Sequence, residues 1–424
     1  MQSTVSFQIH LRPEQECTYF RHAFFVPENV SRIDIAYQYE RYSQVQQEIN
    51  IVDLALCDSN GNYIGASGST RDRIHISAVD STPGYTRTPI SSGPWSIIAG
   101  AYKVAPQGVC VSYTVTFTFQ SPKLFLGDLH THSIASDGSL TTSQLLKAAH
   151  TRGLDFLFVT DHNNFACDSL PRTEYEVCLY PGVEWTHYKG HSGMLGIARP
   201  FLMPFCTSCS EDPLTKLEEA RRNSALVVMN HPFSPTCGWH FPFDLEKFDL
   251  IEAWNGAAPE AANQACVDWW HAQLCSGRHL PIIGGSDFHR SYSNSQLGHP
   301  TTAVYAMSSA LPDIIAALQH GNCYLKGSPS GPDFLIESKH VTLGSTVLPG
   351  ESIFIRLTHL SGRETLQVIT DTDSMKLPCS KGEMTFTYSY ANAAFVRFEL
   401  RMEGKLLLLT NPIYFDRREE GHHV

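Results

Sequence analysis

The sequence contains no apolar run that approaches the ~20 residues a membrane-spanning helix needs. Basic residues are also scarce, since 31 Lys and Arg stand against 42 Asp and Glu and give a formal charge of −11. Extended nucleic acids and acidic membrane surfaces bind basic protein faces, so neither is expected as a partner. A small anionic substrate stays compatible with this charge, because a metal ion can hold it locally.

Closely spaced cysteine pairs are rare as well. Of the twelve cysteines only Cys206 and Cys209 have a CxxC spacing, and no second pair or histidine accompanies them at zinc-finger spacing. We interpret most cysteines as reduced and buried, and these two as loop residues in preference to a redox pair. The N-terminal residues lack a basic segment followed by an apolar run, which is not typical of a signal peptide. A cytoplasmic protein is therefore predicted.

The length of 424 residues and the apolar content of 42% indicate a packed α/β protein with several domains. Residues 1–122 contain short alternating strands between turns, which predicts an N-terminal β-sandwich, similar to jelly-roll accessory domains. In residues 123–330 apolar strands alternate with helices, which favours a parallel sheet covered by helices, most simply a barrel. Residues 331–424 return to strands and predict a C-terminal β-sandwich.

Polar residues of one chemical kind lie where the predicted strands of the middle region end. His130 and His132 are two residues apart, so their side chains share one face of a strand, and Asp287 and His289 repeat this spacing. The other candidates, each at a strand end or in a nearby loop, are Asp137, His162, Glu184, His191 and His231. Because the carboxyl ends of barrel strands converge on one opening, we expect all nine side chains to meet.

Imidazole and carboxylate groups without thiolate are the ligands of a hydrolytic centre that contains Zn, Mn or Fe. A single histidine at a strand end is more often an ordinary polar residue, but five strands that all end in such groups favour a metal site. Nine ligands exceed what one tetrahedral ion can use. The sequence therefore predicts two or three divalent ions with at least one bridging carboxylate.

The motifs around these residues resemble those of the PHP (polymerase and histidinol phosphatase) superfamily and follow its order over residues 125–330. They are Gly127-Asp-Leu-His-Thr-His132, Ser136-Asp-Gly138, Thr160-Asp-His-Asn163, Gly182-Val-Glu184, Asn230-His-Pro232 and Gly284-Gly-Ser-Asp-Phe-His289. Together with Ile251-Glu-Ala-Trp-Asn255 and the segment 318–324, they are most similar to the CehA/McbA-type branch.

The resemblance implies a distorted (β/α)7 TIM-like barrel and a trinuclear metal site. In that family pattern His130, His132 and Asp287 would hold a first ion, and Glu184 would bridge to a second. His191 and His231 would complete the second site. Asp137, His162 and His289 would hold a third ion. Many members have histidine where this chain has Asp137, which leaves the identity and occupancy of the third ion open.

The function that this reading predicts is hydrolysis of a phosphomonoester or phosphodiester, with a metal-bridging hydroxide as the nucleophile. Arg290 and Lys189 are the candidate cations for an anionic small-molecule substrate. One alternative keeps the metals but cleaves a carboxylic ester, amide or carbamate, with Trp185, Trp239 or Trp254 forming an apolar pocket. A second alternative is a metal-binding or interaction protein without catalysis. The natural substrate, the oligomeric state and the role of the outer domains stay open.

Overall fold

The computed structural model describes residues 2–42, 49–165, 170–202, 205, 208, 213–290, 295–338, 341–348, 351–389 and 393–416. The chain divides into two compact units, Met1–Ser121 and Pro122–Val424. Cys206 and Cys209 lie outside the described residues, so their pairing stays open. Among the helices that are described, none combines the length and the apolar character needed to cross a membrane.

The first unit is built from antiparallel strands that enclose one apolar core. Its elements are β1 (Gln2–Leu11), a 3-10 turn (Pro13–Gln15), β2 (Thr18–Val26), β3 (Val30–Gln38), β4 (Ile51–Cys57), β5 (Tyr63–Ser67), β6 (Arg73–Ser77), β7 (Gly93–Lys103) and β8 (Val109–Phe119). The strands form two four-stranded sheets in the orders β1-β8-β3-β6 and β2-β7-β4-β5. Fully buried side chains from both sheets, among them Trp95, Ile33 and Val115, pack together between them.

The second unit mixes strands and helices. Its helices are α1 (Thr142–Arg152), α2 (Leu214–Arg222), α3 (Glu260–Cys275) and α4 (Leu311–Gln319), with a 3-10 turn at Leu245–Lys247. Its first strands are β9 (Lys123–Thr131), β10 (Phe156–Val159), β11 (Arg172–Glu174), β12 (Val177–His187), β13 (Gly190–Leu195), β14 (Leu226–Met229), β15 (Leu250–Asn255), β16 (Ile282–Gly285), β17 (Thr301–Ala306) and β18 (Cys323–Lys326). The remaining strands are β19 (Asp333–Ile336), β20 (Thr346–Val347), β21 (Ser352–Leu360), β22 (Thr365–Thr370), β23 (Ser374–Pro378), β24 (Gly382–Ser389), β25 (Phe395–Met402), β26 (Lys405–Thr410) and β27 (Ile413–Phe415).

The start of α1 is held by hydrogen bonds between Thr141 and Gln144. Thr141 accepts a hydrogen bond from the Gln144 N–H, and the Gln144 side chain accepts one from the Thr141 N–H, which is a capping box. The helix ends at Gly153, whose φ of 75° is a left-handed conformation that glycine adopts without steric cost. This helix follows the loop that carries Asp137, so its fixed start limits where that loop can lie.

The expectation of a parallel sheet in the middle region is wrong for three strands, β11, β13 and β17. β11 runs antiparallel to β12, β13 runs antiparallel to both β12 and β14, and β17 runs antiparallel to both β9 and β18. The β12–β13 connection is a hairpin in which His187 pairs with Gly190. A parallel crossover needs about a dozen residues or more, so this short connection permits only an antiparallel pair. The other neighbours, β9 with β10, β10 with β12, β14 with β15 and β15 with β16, are parallel.

The residues after β16 return to the end of β9. The strand order runs from β16 through β15, β14, β13, β12 and β10 to β9, and it continues with β17 and β18. The Asp287 N–H donates to the His130 carbonyl at 2.9 Å, and the His132 N–H donates to the Phe288 carbonyl at 3.0 Å. Thr131 and Phe288 form a parallel bridge between them. The residues at the end of β9 and those after β16 are thereby brought together.

Residues beyond 330 continue the same sheet. β26 pairs with β18, and the order then runs through β25 and β22 to β23. A separate sheet, β19-β21-β24, covers an apolar cluster that it shares with these strands, and Ala303 and Tyr324 of the middle region join that cluster. The structure thus groups these strands with the second unit, and a separate C-terminal sandwich domain stays a prediction.

Candidate metal centre

The structure brings all nine predicted ligands to one place. They form overlapping groups whose nitrogen or oxygen atoms lie within 4.8 Å of one another. One group joins His130, His132, Glu184 and Asp287, another joins His162, Glu184 and His191, and a third joins His132, Asp137, His162 and His289. His231 meets the second group through Glu184, with 3.1 Å between His231 Nε2 and Glu184 Oε1. Side chains from segments up to about 160 residues apart in sequence therefore converge. Most of them lie at or just after the end of a strand, whereas Glu184 and His191 lie within the antiparallel pair β12–β13.

Glu184 lies at the middle of the cluster and is 1% exposed. Its Oε2 atom lies 3.2 Å from His130 Nε2, 3.4 Å from His132 Nε2 and 3.0 Å from His162 Nδ1. Its Oε1 atom lies 3.1 Å from both His191 Nδ1 and His231 Nε2. Burial alone would raise the pKa of Glu184, but the surrounding imidazoles outweigh it and hold that pKa well below its usual value. Glu184 is thus an ionised carboxylate with both oxygens turned toward different histidines.

Asp287 completes the inner face of the cluster. Its Oδ1 atom lies 3.4 Å from His130 Nε2, 3.2 Å from His132 Nε2 and 3.5 Å from His289 Nδ1. Burial opposes ionisation here too, yet His130 and His132 lower the pKa of this carboxyl. Asp287 has a φ of +52° and His231 a φ of +27°, a region that residues other than glycine seldom adopt. Such backbone conformations concentrate at functional sites, where the surrounding structure enforces them.

Four buried atoms that face one another in this cluster have no hydrogen-bond partner among the residues described. They are His130 Nε2, His132 Nε2, Glu184 Oε2 and Asp287 Oδ1. Buried polar atoms in folded proteins are nearly always paired, so four unpaired ones at a single point need an explanation. A divalent cation accepts lone pairs from nitrogen and carboxylate oxygen alike, and this donor set suits Zn, Mn or Fe. The residues present therefore fit a metal site.

The group that contains Asp137 lies at the solvent side of the cluster. Asp137 Oδ1 is 3.3 Å from His289 Nε2 and 3.7 Å from His162 Nε2. The Asp137 side chain is 52% exposed and the two histidines are about one quarter exposed, whereas His132 is fully buried. The cluster is therefore accessible to solvent from this side.

Several supporting residues were missed by the sequence reading. Glu252 Oε1 lies 2.9 Å from His130 Nδ1, and the Asn230 side-chain amide donates to Glu184 Oε1 at 3.0 Å. The sequence did contain one signal, because Glu252 is a carboxylate inside the otherwise apolar strand β15 and had to find a buried partner.

Cys237 is a second residue near the cluster that the sequence did not point out. Its Sγ atom lies 3.6 Å from His231 Nδ1. Burial raises the pKa of the Cys237 thiol, but the hydrogen bond with His231 and its charge outweigh burial and bring that pKa to about 7. Nothing in the spacing of the cysteines indicated this contact.

The predicted substrate contacts lie at the surface. Lys189 is exposed in the β12–β13 turn, with its Nζ atom 5.6 Å from the centroid of the Phe241 ring. Arg290 is exposed and directly follows His289. The role of both cations in substrate binding stays a prediction.

The tryptophans proposed for an apolar pocket differ in burial. Trp185 is fully buried, and its indole N–H donates to the Phe205 carbonyl at 3.1 Å. Trp239 is 5% exposed and packs in the same apolar cluster. Trp254 is half-buried and lines a cavity of about 440 Å³ together with Asn255 and Gln296. Two of the three therefore belong to the core.

Comparisons with known proteins give structural likenesses only, since neither a protein-family model nor a curated protein sequence matches this chain. The structure is similar to a two-domain protein from Bacteroides vulgatus described as containing a predicted PHP-like metal-dependent phosphoesterase, with 16% identity over 69% of this chain and 96% of that chain and a TM-score of 0.41. It is similar to a putative metal-dependent phosphoesterase from Bifidobacterium adolescentis, with 15% identity over 41% and 90% of the two chains and a TM-score of 0.32. An amidohydrolase from Chromobacterium violaceum gives 16% identity over 40% and 89% and a TM-score of 0.31.

Proposed function

We propose that this chain is a metal-dependent hydrolase of the PHP type, close to its CehA/McbA-like branch, and that it cleaves phosphate esters. The observation that carries the proposal is the meeting of nine nitrogen and oxygen donors around the buried Glu184, four of them with unpaired atoms. In this proposal the strands β9, β10 and β12 to β16 form the distorted (β/α)7 barrel of that family. The substrate is a small anionic molecule.

The ligand sets follow the contacts. His130, His132 and Asp287 would hold one ion, because their unpaired atoms face one another. Glu184 would be shared between this ion and a second one at His191 and His231, since its two oxygens face the two sets separately. A third ion would lie at the exposed group of Asp137, His162 and His289. Bound divalent ions would acidify a coordinated water and neutralise the charge that develops on an ester during hydrolysis.

The chain's own residues prepare the site for such a reaction. Glu184 and Asp287 stay ionised, so they supply fixed negative charge at the floor of the cluster. His130 and His132 are closed off from water, whereas Asp137 faces solvent. A substrate would therefore enter beside Asp137, where the neighbouring Arg290 would contact an anionic group.

Burial of two tryptophans favours a phosphate ester over an ester, amide or carbamate. An apolar acyl or aryl substrate requires an accessible apolar wall, and Trp185 and Trp239 are at most 5% exposed, which leaves Trp254 as the one candidate of the three that lines a cavity. This observation supports the phosphoesterase proposal without excluding hydrolysis of small carboxylic esters.

The test is turnover of p-nitrophenyl phosphate, bis-p-nitrophenyl phosphate and p-nitrophenyl acetate by protein loaded with Zn, Mn or Fe. We expect phosphate-ester hydrolysis that a chelator abolishes and that His132→Ala lowers at least ~100-fold. The matched control is His150→Ala, an exposed histidine of α1. Faster turnover of the acetate would favour the alternative bond, and less than one equivalent of metal per chain would favour a protein without catalysis.

A further inference from the structure

A buried carboxylate lies beside one histidine of the candidate metal centre, at the ring nitrogen that faces away from the other candidate ligands. Glu252 lies on β15 and is 2% exposed. Its Oε1 atom lies 2.9 Å from His130 Nδ1, the ring nitrogen that does not face the ligand group. Its Oε2 atom accepts the His231 backbone N–H at 2.9 Å and the Asn255 side-chain amide at 3.1 Å. One carboxylate therefore contacts segments that carry two different candidate ligands.

We infer that Glu252 is a positioning residue that fixes the tautomer of His130 so that Nε2 is free to bind a metal ion. The inference rests on the proposed metal centre and extends it to a residue outside the ligand set. A neutral imidazole carries one N–H, and a carboxylate beside Nδ1 can only accept. The proton is therefore held on Nδ1, and the Nε2 lone pair faces Glu184 Oε2 at 3.2 Å and Asp287 Oδ1 at 3.4 Å.

The second oxygen of Glu252 makes this arrangement specific to a carboxylate. The His231 backbone N–H can only donate, so it needs an oxygen at that position. In Glu252→Gln the single amide oxygen must take that place, and the amide NH2 then lies against His130 Nδ1. Nδ1 would have to accept a hydrogen bond, which moves the ring proton to Nε2 and blocks metal binding there. A change of one atom, without a change of size, should thus disable the ligand.

Glu252→Asp and Asp249→Asn separate this role from simple loss of a buried carboxylate. Aspartate keeps two accepting oxygens on a shorter side chain, so the correct tautomer is retained at a longer distance. Asp249 lies directly before the first residue of β15. It accepts a hydrogen bond from the Val227 N–H at 2.8 Å and forms an ion pair with Arg221 at 3.1 Å. Asp249→Asn therefore perturbs the same region without contacting a candidate ligand.

The experiment measures zinc binding by the full chain through metal analysis and competition with a chelator, without any activity assay. We expect Glu252→Gln to weaken the binding of one ion by ~10–100-fold, Glu252→Asp to weaken it less, and Asp249→Asn to leave it unchanged. Wild-type affinity in Glu252→Gln would overturn the inference and leave the proposed function intact. Less than one equivalent of zinc in the wild type would instead overturn the proposed function.

A measurement on the unmodified protein covers the case in which a variant does not fold. Nitrogen NMR of zinc-loaded, histidine-labelled protein reports which ring nitrogen carries the proton, and through-space contacts between the His130 ring and residues of β15 assign its signal. We expect the proton of His130 on Nδ1. A proton on Nε2 would overturn the inference.

Discussion

Divalent metal should raise the unfolding temperature of the unit Pro122–Val424 and leave that of Met1–Ser121 unchanged. All nine candidate ligands lie in the second unit, while the first unit has an apolar core of its own. A ligand that binds only the folded state stabilises it by mass action. The thermal response of the chain should therefore be confined to one of two transitions.

The size of the shift follows from the size of the unit. At a free metal concentration ~100-fold above the dissociation constant, each bound ion adds about 2.7 kcal/mol to the free energy of unfolding. Unfolding entropy of ~2.1 cal/mol/K per residue gives about 0.6 kcal/mol/K for a unit of about 300 residues. Each ion should then raise the unfolding midpoint by about 4 °C, and two ions by about 9 °C.

The assay is differential scanning calorimetry of the full chain, first with a chelator and then with Zn or Mn. Glu184→Gln is the informative variant, because it removes the charge that both inner ligand sets share. We expect its metal-induced shift to be less than half that of the wild type. The reasoning is refuted if metal moves both transitions equally, moves neither, or shifts the variant as far as the wild type.

Two further predictions concern single residues of the second unit. Gly285→Ala should lower the metal content and reduce the free energy of unfolding by ~1–3 kcal/mol. The reason is that the new Cβ would lie 2.4 Å from His130 Cβ and 2.8 Å from the His130 backbone nitrogen. An unchanged metal content and an unchanged urea midpoint would contradict this prediction. Glu399→Gln should lower the free energy of unfolding, measured in urea at pH 7, by ~3–5 kcal/mol. The substitution removes the buried carboxylate that the guanidinium groups of Arg397 and Arg401 each contact at 2.6 Å. The two arginines hold the pKa of Glu399 below its usual value despite its burial. The stabilisation by Glu399 is therefore complete above about pH 4.5 and is lost as the pH falls through the folded-state pKa. A difference in unfolding free energy between wild type and variant that does not shrink in acid would contradict this prediction.

The grouping of the nine candidate ligands could be predicted from the sequence because most of them lie near strand ends. His130, Glu184 and Asp287 each lie at or near the point where a short apolar segment stops, and the order of strands in one sheet then brings those points together. The alternation of His130 with His132 also fixed which face they share. Their convergence needed no knowledge of side-chain contacts.

The direction of β13 was predicted wrongly although the sequence contained the information. Glu184 and His191 are only seven residues apart, too few for a crossover between parallel strands, so connection length should have outweighed the general pattern of strands and helices. In contrast, the partner of Glu252 could not be predicted. Strand periodicity gives the face on which a side chain lies, but His130 is 122 residues away in sequence and its ring orientation is a tertiary property.

The energetics of the cluster connect metal binding to the folding of the second unit. A buried polar atom without a partner costs ~1–3 kcal/mol, and the contacts of Glu184 and Asp287 with the surrounding imidazoles offset part of that cost. A divalent cation would pair with all four atoms at once, so its binding would stabilise the folded second unit. Glu252 is part of the same linkage, because its contact with His130 Nδ1 leaves Nε2 as the ring nitrogen that faces Glu184 and Asp287, where a cation would bind.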